Sequence, residues 1–94
     1  MPRGLLDDPV RLRMMGLLWR HRDVAARSVK ASLGLSDGNL ASHAAKLEEA
    51  GYMRSRRALM PTGFELRYTL LPAGSEAFLA HLQQLRRLLG EWEA

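Results

Sequence analysis

The segment LSDGNLASHAAKLEEAGY, residues 35–52, contains the start and the buried stripe of one well-defined helix. Ser36 is one of the residue types that cap helix N-termini with a side-chain oxygen. Apolar residues then recur four and three positions apart, which places them on one helical face. These residues are Leu40, Ala44 and Leu47. The spacing predicts a helix over residues 36–50.

The end of the same segment has the residues of a helix stop. Gly51 suits the left-handed conformation of a C-terminal cap, and Tyr52 is placed to fold back on Leu47, as in a Schellman motif. The pair Asp37-Gly38 is also compatible with a hairpin turn, but the helical spacing after it argues against that alternative. Gly38 remains unusual, because a helix gains no stability from glycine near its start.

Two further helices are predicted before this segment. Asp8-Pro9 provides an N-cap and a first helical residue for a helix over residues 8–22. Asp23 is a candidate cap for a second helix, over residues 24–33. The second and third helices, joined by a short turn, form a helix-turn-helix pattern. The inward stripe of the first helix is expected to contain Val10, Met14, Leu17, Leu18 and His21.

After Tyr52 the pattern changes from helical spacing to strand-like runs. YMRSRRALM and FELRYTLL flank Pro61-Thr62-Gly63, which predicts a hairpin over residues 52–71. A last helix is predicted over residues 74–92. Three helices followed by a two-stranded hairpin are the layout of a winged helix-turn-helix domain. The expected fold is therefore mainly α with a small β-hairpin, the wing, and a C-terminal helix.

Length and composition limit the class of protein. The 94 residues suffice for one small domain, residues 1–94, with 47% hydrophobic and 26% charged residues. There is no cysteine, no apolar run near the length of a membrane span, and no signal-peptide core before the chain turns acidic. We therefore expect a cytoplasmic protein without a membrane partner. The net charge of +4 favours a polyanionic partner, nucleic acid first.

The sequence resembles the winged-helix transcriptional regulators of the MarR/ArsR type. The likeness runs from about residue 8 to residue 89, through DPVRLRMMGLL, LGLSDGNLASHAAKLEEAGYM and RYTLLPAGSEAF. It is most specific to a small subgroup whose recognition helix reads L-G-L-[ST]-D-G-N-L-x-x-H-x-x-K-L-E-E-A-G-Y. The resemblance implies a homodimer that binds operator DNA. From the residues themselves we expect no cofactor.

The chain departs from that family at three places. The wing tip of the family usually carries basic residues, whereas PTGFE, residues 61–65, has none and contains one acid. Leu71 stands where a threonine usually caps the last helix, and Ala44 replaces a larger leucine. The first departure puts contact between the wing tip and the minor groove in doubt.

The polar face of the predicted recognition helix is the candidate DNA-reading surface. With the apolar stripe inward, short polar side chains face outward near the start of the helix and a lysine follows. Such a helix end enters the major groove, where donors and acceptors read base edges and lysine neutralises phosphate. The alternative is a solvated face that contacts nothing. The candidate residues are Ser36, Gly38, Asn39, Ser42, His43 and Lys46.

Basic residues outside this helix are candidates for phosphate contacts. Arg54 and Arg56 share one face of the predicted strand, and Arg57 lies on the other. They are expected to hold the DNA backbone, or else to protect an edge strand from aggregation. Arg27 and Lys30 are equally consistent with phosphate contacts and with ordinary surface charges.

The last helix carries an apolar seam suited to dimerisation. Its spacing of four, three, four and three is that of an a/d coiled-coil seam, although it spans little more than two heptads. The alternative is packing within the chain. A dimer would place two recognition helices about 34 Å apart, matching successive major grooves. The seam residues are Phe78, Leu82, Leu85, Leu89 and Trp92.

Catalytic and metal-binding patterns are not found in the sequence. His21, His43 and His81 lie on three different predicted helices, and the adjacent Glu48 and Glu49 point in different directions. The leading hypothesis is a homodimeric regulator that binds double-stranded DNA at a palindromic operator. The alternatives are a winged helix that contacts another protein, and an enzyme or sensor with a pocket between the last helix and the core.

Overall fold

The computed structural model describes residues 4–93 and has a three-stranded antiparallel sheet among its helices. A short 3₁₀ turn, Leu5–Asp7, precedes helices α1 (Pro9–His21), α2 (Ala26–Leu33) and α3 (Asp37–Glu49). Strands β1 (Asp23–Ala25), β2 (Met53–Met60) and β3 (Gly63–Leu70) form the sheet, and α4 (Pro72–Glu93) ends the chain. This is the expected winged layout with one added strand.

The first helix begins as its sequence predicts. The Asp8 carboxylate accepts hydrogen bonds from the backbone N–H groups of Val10 and Arg11, at 2.8 and 3.1 Å. Pro9 occupies the first turn, where a missing N–H costs nothing. The buried face is formed by Met14, Met15 and Leu18, while Val10 and Leu17 are half-buried. His21 is exposed, which corrects its expected place on the inward stripe.

The expected cap of the second helix is wrong. Asp23 lies in β1, which pairs with β3 through Asp23 opposite Thr69 and Ala25 opposite Arg67. Helix α2 begins later, at Ala26, and its N-cap Ala25 makes no side-chain hydrogen bond. A third strand therefore joins the hairpin between α1 and α2.

Helix α3 begins and ends as predicted. The Ser36 hydroxyl accepts a hydrogen bond from the Asn39 backbone N–H at 3.1 Å. At the other end Gly51 has φ +77°, and its N–H donates to the Glu48 carbonyl at 2.9 Å. The Tyr52 N–H donates to the Leu47 carbonyl at 3.0 Å, which completes the Schellman motif.

One core lies between α1, α2, α3, the inner end of the sheet and the first turns of α4. Its largest fully buried side chains include Met15, Leu18, Leu47 and Met53. Only Gly74 and Phe78 of α4 are buried, so most of this 22-residue helix extends away from the core. None of the helices in residues 4–93 has the length and apolar character required to cross a membrane.

Candidate nucleic-acid interface

Helix α3 presents the predicted polar face to solvent. Leu40, Ala44 and Leu47 are buried, Leu47 completely, and this fixes the rotation of the helix. The residues on the opposite side are therefore exposed. They are Gly38, Asn39, Ser42 and Lys46, and the capping Ser36 is exposed beside them.

No contact within the described chain requires glycine at position 38. A Cβ atom placed on Gly38 would have no neighbour within 4 Å, and its φ lies outside the left-handed region. Alanine would fit and would favour the helix. The first turn of α3 therefore has no side chain at position 38, although the Asn39 N–H of the same turn is capped by the Ser36 hydroxyl.

Lys30 and Asp37 form an ion pair across the turn between α2 and α3. The Lys30 Nζ atom lies 2.7 Å from Asp37 Oδ1. This gives Asp37 a role beyond the helix start, because it holds a lysine of α2 beside the first turn of α3. It also means that Lys30 is not an isolated phosphate-binding cation.

His43 is half-buried and contacts Arg11 of α1. Its Nδ1 atom lies 3.1 Å from Arg11 Nη1, and the Arg11 Nε–H donates to the Leu5 carbonyl at 2.7 Å. Arg11 was not a candidate site residue in the sequence, since its partner on α3 is 32 positions away. It connects the first helix to the proposed DNA-reading surface.

The arginines of β2 occupy three different environments. The register places Arg54 and Arg56 on one face of the sheet and Arg57 on the other, as expected. Arg54 is exposed. Arg56 donates to Asp23 Oδ2 from Nε and Nη2, at 3.2 and 3.0 Å. The Arg57 guanidinium lies 4.7 Å from the centre of the Phe64 ring, a cation–π contact.

Asp23 is the centre of a polar cluster that sequence reasoning missed. Besides Arg56, its carboxylate accepts hydrogen bonds from Arg67 and from the Thr69 hydroxyl. Arg67 and Arg27 both pair with Glu65, at 2.8 Å each. Arg27 is thus also a partnered cation. The alternation of Glu65, Arg67 and Thr69 along one strand face was the only local sign of this cluster.

The cluster changes the acidity of Asp23. Desolvation opposes ionisation of the carboxyl, but the hydrogen bonds from Thr69, Arg67 and Arg56 outweigh it and lower the pKa of Asp23 from 3.8 to about 2. The charged form is therefore favoured in the folded protein. The cluster ties β1 to β2 and β3 and holds Arg56 against the sheet.

Replacing Asp23 with asparagine is expected to remove this pH-dependent stabilisation. A lowered folded-state pKa contributes stability that is complete above pH 3.8 and is lost as the pH falls toward about 2. Asp23→Asn should lower the free energy of unfolding by about 1–2 kcal/mol at neutral pH, allowing for solvent screening. Urea unfolding across that pH range measures this. Asp37→Asn is the matched control, and an equal acid dependence in both variants would contradict the prediction.

The wing tip, residues 61–65, contains no basic residue, and apolar side chains are exposed there; the nearest cation is Arg57, over the Phe64 ring. Leu59 and Phe64 are 75% and 65% exposed and lie opposite each other on one sheet face. Leu66 on the same face is also exposed. The sequence indicated a tip without basic residues, but it did not indicate that leucine and phenylalanine project into solvent there.

Helix α4 has both a buried and an exposed apolar part. Phe78 is only 7% exposed and packs against Trp19, with ring centres 5.7 Å apart. This corrects its expected place in a dimer seam, because α1 and the rest of the core already cover it. The other seam residues are exposed: Leu82, Leu85, Leu89 and Trp92, with Leu79 and Leu88 beside them.

Small-molecule and metal sites can be compared with the shape of the described surface. A surface depression of about 350 Å³ lies between the first turn of the chain and α4, lined in part by Leu5, Tyr52 and His81. The sensor hypothesis places an effector here, and this stays a prediction. Within residues 4–93, no group of three or more histidine, aspartate or glutamate side chains is arranged to hold a metal ion.

Comparison with known proteins finds relatives that are similar in sequence or in structure. An uncharacterized protein of Methanocaldococcus jannaschii is 25% identical over 84 residues, covering 89% of this chain and 91% of that protein. A transcriptional regulator homologue of Pyrococcus horikoshii OT3 has a similar structure, with a TM-score of 0.89 at 24% identity, over 96% of this chain and 89% of that one. The transcriptional regulator BldR of Sulfolobus solfataricus has a TM-score of 0.71 at 15% identity, over 88% and 58%.

The similar structures are under 25% identical to this chain and show only its fold. The family to which the chain belongs is shown by a family model. The model, described as a winged helix DNA-binding domain, matches residues 10–89. This span includes α1 except for its first residue, both helices of the helix-turn-helix, the wing and most of α4. The protein therefore belongs to the family of winged helix DNA-binding domains.

Proposed function

We propose that this protein is a transcriptional regulator of the MarR/ArsR type that binds a palindromic operator as a homodimer. The observation that carries the proposal is the orientation of α3. Its apolar stripe is buried, whereas Asn39, Ser42 and Lys46 are exposed beside an N-terminal turn that has no side chain at Gly38. Such a helix end can enter the major groove and approach base edges and phosphates closely.

The charges around α3 support a DNA ligand. Lys46 and Arg54 are exposed on α3 and β2, the element that follows it. Lysine and arginine so placed neutralise phosphates and give affinity that depends on salt but not on sequence. Asn39 is the candidate for sequence reading, since an amide can contact adenine at two points. No catalytic step is part of the proposal.

The exposed part of α4 supports the homodimer. The helix has 22 residues, about 33 Å in length, and only its first two turns pack on the core. An unpartnered apolar stripe of this length is costly in water, and a second copy offers an equal stripe. Two copies joined in this way would present two α3 helices to one operator.

Binding to promoter DNA beside the protein's own gene tests the proposal. A mobility-shift assay should show a complex that weakens steeply as salt is raised. Lys46→Ala should weaken binding to all sequences and reduce the salt dependence by about one phosphate contact, whereas Asn39→Ala should mainly relax sequence preference. Arg13→Ala, which removes an exposed cation from α1, is the control. Absence of salt-sensitive binding would contradict the proposal.

One observation favours a second candidate, a winged helix that contacts another protein. Leu59 and Phe64 are exposed apolar side chains at a wing tip whose own residues, 61–65, include no cation, although Arg57 stacks on Phe64. Apolar exposure of this kind occurs at protein interfaces more often than at phosphate-binding surfaces. This candidate gains support if the mobility-shift assay shows no salt-sensitive binding by the wild-type protein.

A further inference from the structure

Arg11 is fixed in place by contacts on two sides. Its Nε–H donates to the Leu5 carbonyl at 2.7 Å, and its Nη1 lies 3.1 Å from His43 Nδ1 and 4.0 Å from Asp8 Oδ2. Only 12% of the side chain is exposed. A guanidinium held in this way is poorly placed for a phosphate contact, and its partner on α3 is His43.

The contact with Arg11 determines which nitrogen of His43 carries the proton. A guanidinium has donors only, so the imidazole nitrogen that faces it must act as an acceptor. Nδ1 is therefore unprotonated, and in the neutral ring the proton is on Nε2. The alternative tautomer would direct an N–H group at the N–H groups of Arg11.

Nε2 of His43 is left as an available donor. It has no hydrogen-bond partner within residues 4–93, and no fully buried side-chain nitrogen or oxygen there lacks one, so Nε2 is not fully buried. The two ring nitrogens lie on different sides of the imidazole. Because Nδ1 faces α1, Nε2 points away from it. His43 also follows Asn39 by four residues and precedes Lys46 by three, so the three share one stripe of α3.

We propose that Arg11 is a positioning residue that sets His43 as an Nε2–H donor, and that this donor reads N7 of a guanine in the major groove. Guanine presents two adjacent acceptors, N7 and O6, whereas N7 of adenine lies beside an amino donor. A fixed donor is therefore matched best by guanine. The inference rests on the proposed function and adds the class of base that His43 recognises.

The tautomer is tested without DNA. Long-range proton–nitrogen correlation spectra at alkaline pH, where imidazole is neutral, show which ring nitrogen is protonated. Wild-type protein should show His43 as the Nε2–H form alone. Arg11→Met should show a mixture of both forms, while Arg13→Met, an exposed arginine changed on the same helix, should match wild type. A mixture in wild type would overturn the assignment of the donor.

The base contact is tested with duplexes selected from a randomised DNA library by the wild-type protein. Each guanine is replaced in turn by 7-deazaguanine, which lacks the N7 acceptor. One position in each half-site should weaken wild-type binding about fivefold, the effect of one hydrogen bond. His43→Ala and Arg11→Met should bind the duplex with guanine and the duplex with 7-deazaguanine at that position equally. Arg13→Met should bind the 7-deazaguanine duplex about fivefold more weakly, as wild type does.

The results distinguish failure of the contact between His43 and guanine from failure of the proposed DNA-binding function. If no guanine is sensitive, or if Arg11→Met keeps the full penalty, the proposal is wrong even though DNA binding stands. If no duplex is selected at all, the proposed function fails, while the spectra still decide the tautomer. A folding defect in Arg11→Met would appear as a lower melting temperature. His43→Ala, which leaves the contact of Arg11 with Leu5 in place, then carries the binding test.

Discussion

Replacing Gly74 with alanine is expected to lower the free energy of unfolding by about 3 kcal/mol, the upper end of the cost of overpacking. A Cβ atom at this position would lie 2.1 Å from the Tyr52 carbonyl oxygen and 2.9 Å from its carbon. These are backbone atoms, and they cannot rotate away as a side chain would. For a domain of this size, the change corresponds to a melting temperature lower by about 12 °C or more.

Gly38→Ala is the matched control for this prediction. Both glycines lie in the first turn of a helix, but a Cβ atom on Gly38 meets nothing within 4 Å. Gly38→Ala should therefore be as stable as wild type or slightly more stable, since alanine favours helices. Thermal and urea unfolding of the two variants give the comparison. Equal stability of both variants would mean that α4 does not approach Tyr52 as described.

Replacing Leu85 with glutamate is expected to convert the proposed dimer to a monomer and to weaken operator binding about a hundredfold or more. A dimer binds the second half-site at a high effective concentration, which a monomer loses. Leu85 is exposed in the single chain, so the fold should survive the change. Sedimentation equilibrium and the mobility-shift assay measure the two effects.

Gln83→Glu is the control for charge on α4. It places the same carboxylate two residues earlier, off the seam of Leu82, Leu85 and Leu89. This variant should remain dimeric and bind DNA as wild type does. If Leu85→Glu also remains dimeric, α4 is not the dimer helix. If it is monomeric but binds DNA unchanged, the dimer is not needed for operator recognition.

The helices were largely predictable because their signals are local. Asp8, Ser36 and Gly51 mark helix ends within a few residues of the groups that they cap. The stripe of Leu40, Ala44 and Leu47 needs only the helical period. The expected exposure of Asn39 and Lys46 followed directly from that stripe.

The features that were missed depend on residues far apart in the chain. Strand β1 has three residues, and it forms because it pairs with β3, about 45 positions later. A strand this short has no periodic pattern of its own from which it could be predicted. Asp23 does not cap α2, because its carboxylate accepts hydrogen bonds from four donors on β2 and β3 instead. Phe78 fits an a/d seam, but its burial against Trp19 depends on how α4 packs on α1.

The carbonyl of Tyr52 has a consequence for how such a dimer would respond to a signal. It accepts a hydrogen bond from the Leu71 N–H at 3.0 Å, directly after the Schellman stop of α3 and beneath Gly74 of α4. The end of α3 and the start of α4 are thus held together by a backbone hydrogen bond and by the close approach of Gly74 to Tyr52. In the proposed dimer, we therefore expect a change in the angle at which two α4 helices cross to alter the spacing of the two α3 helices as well.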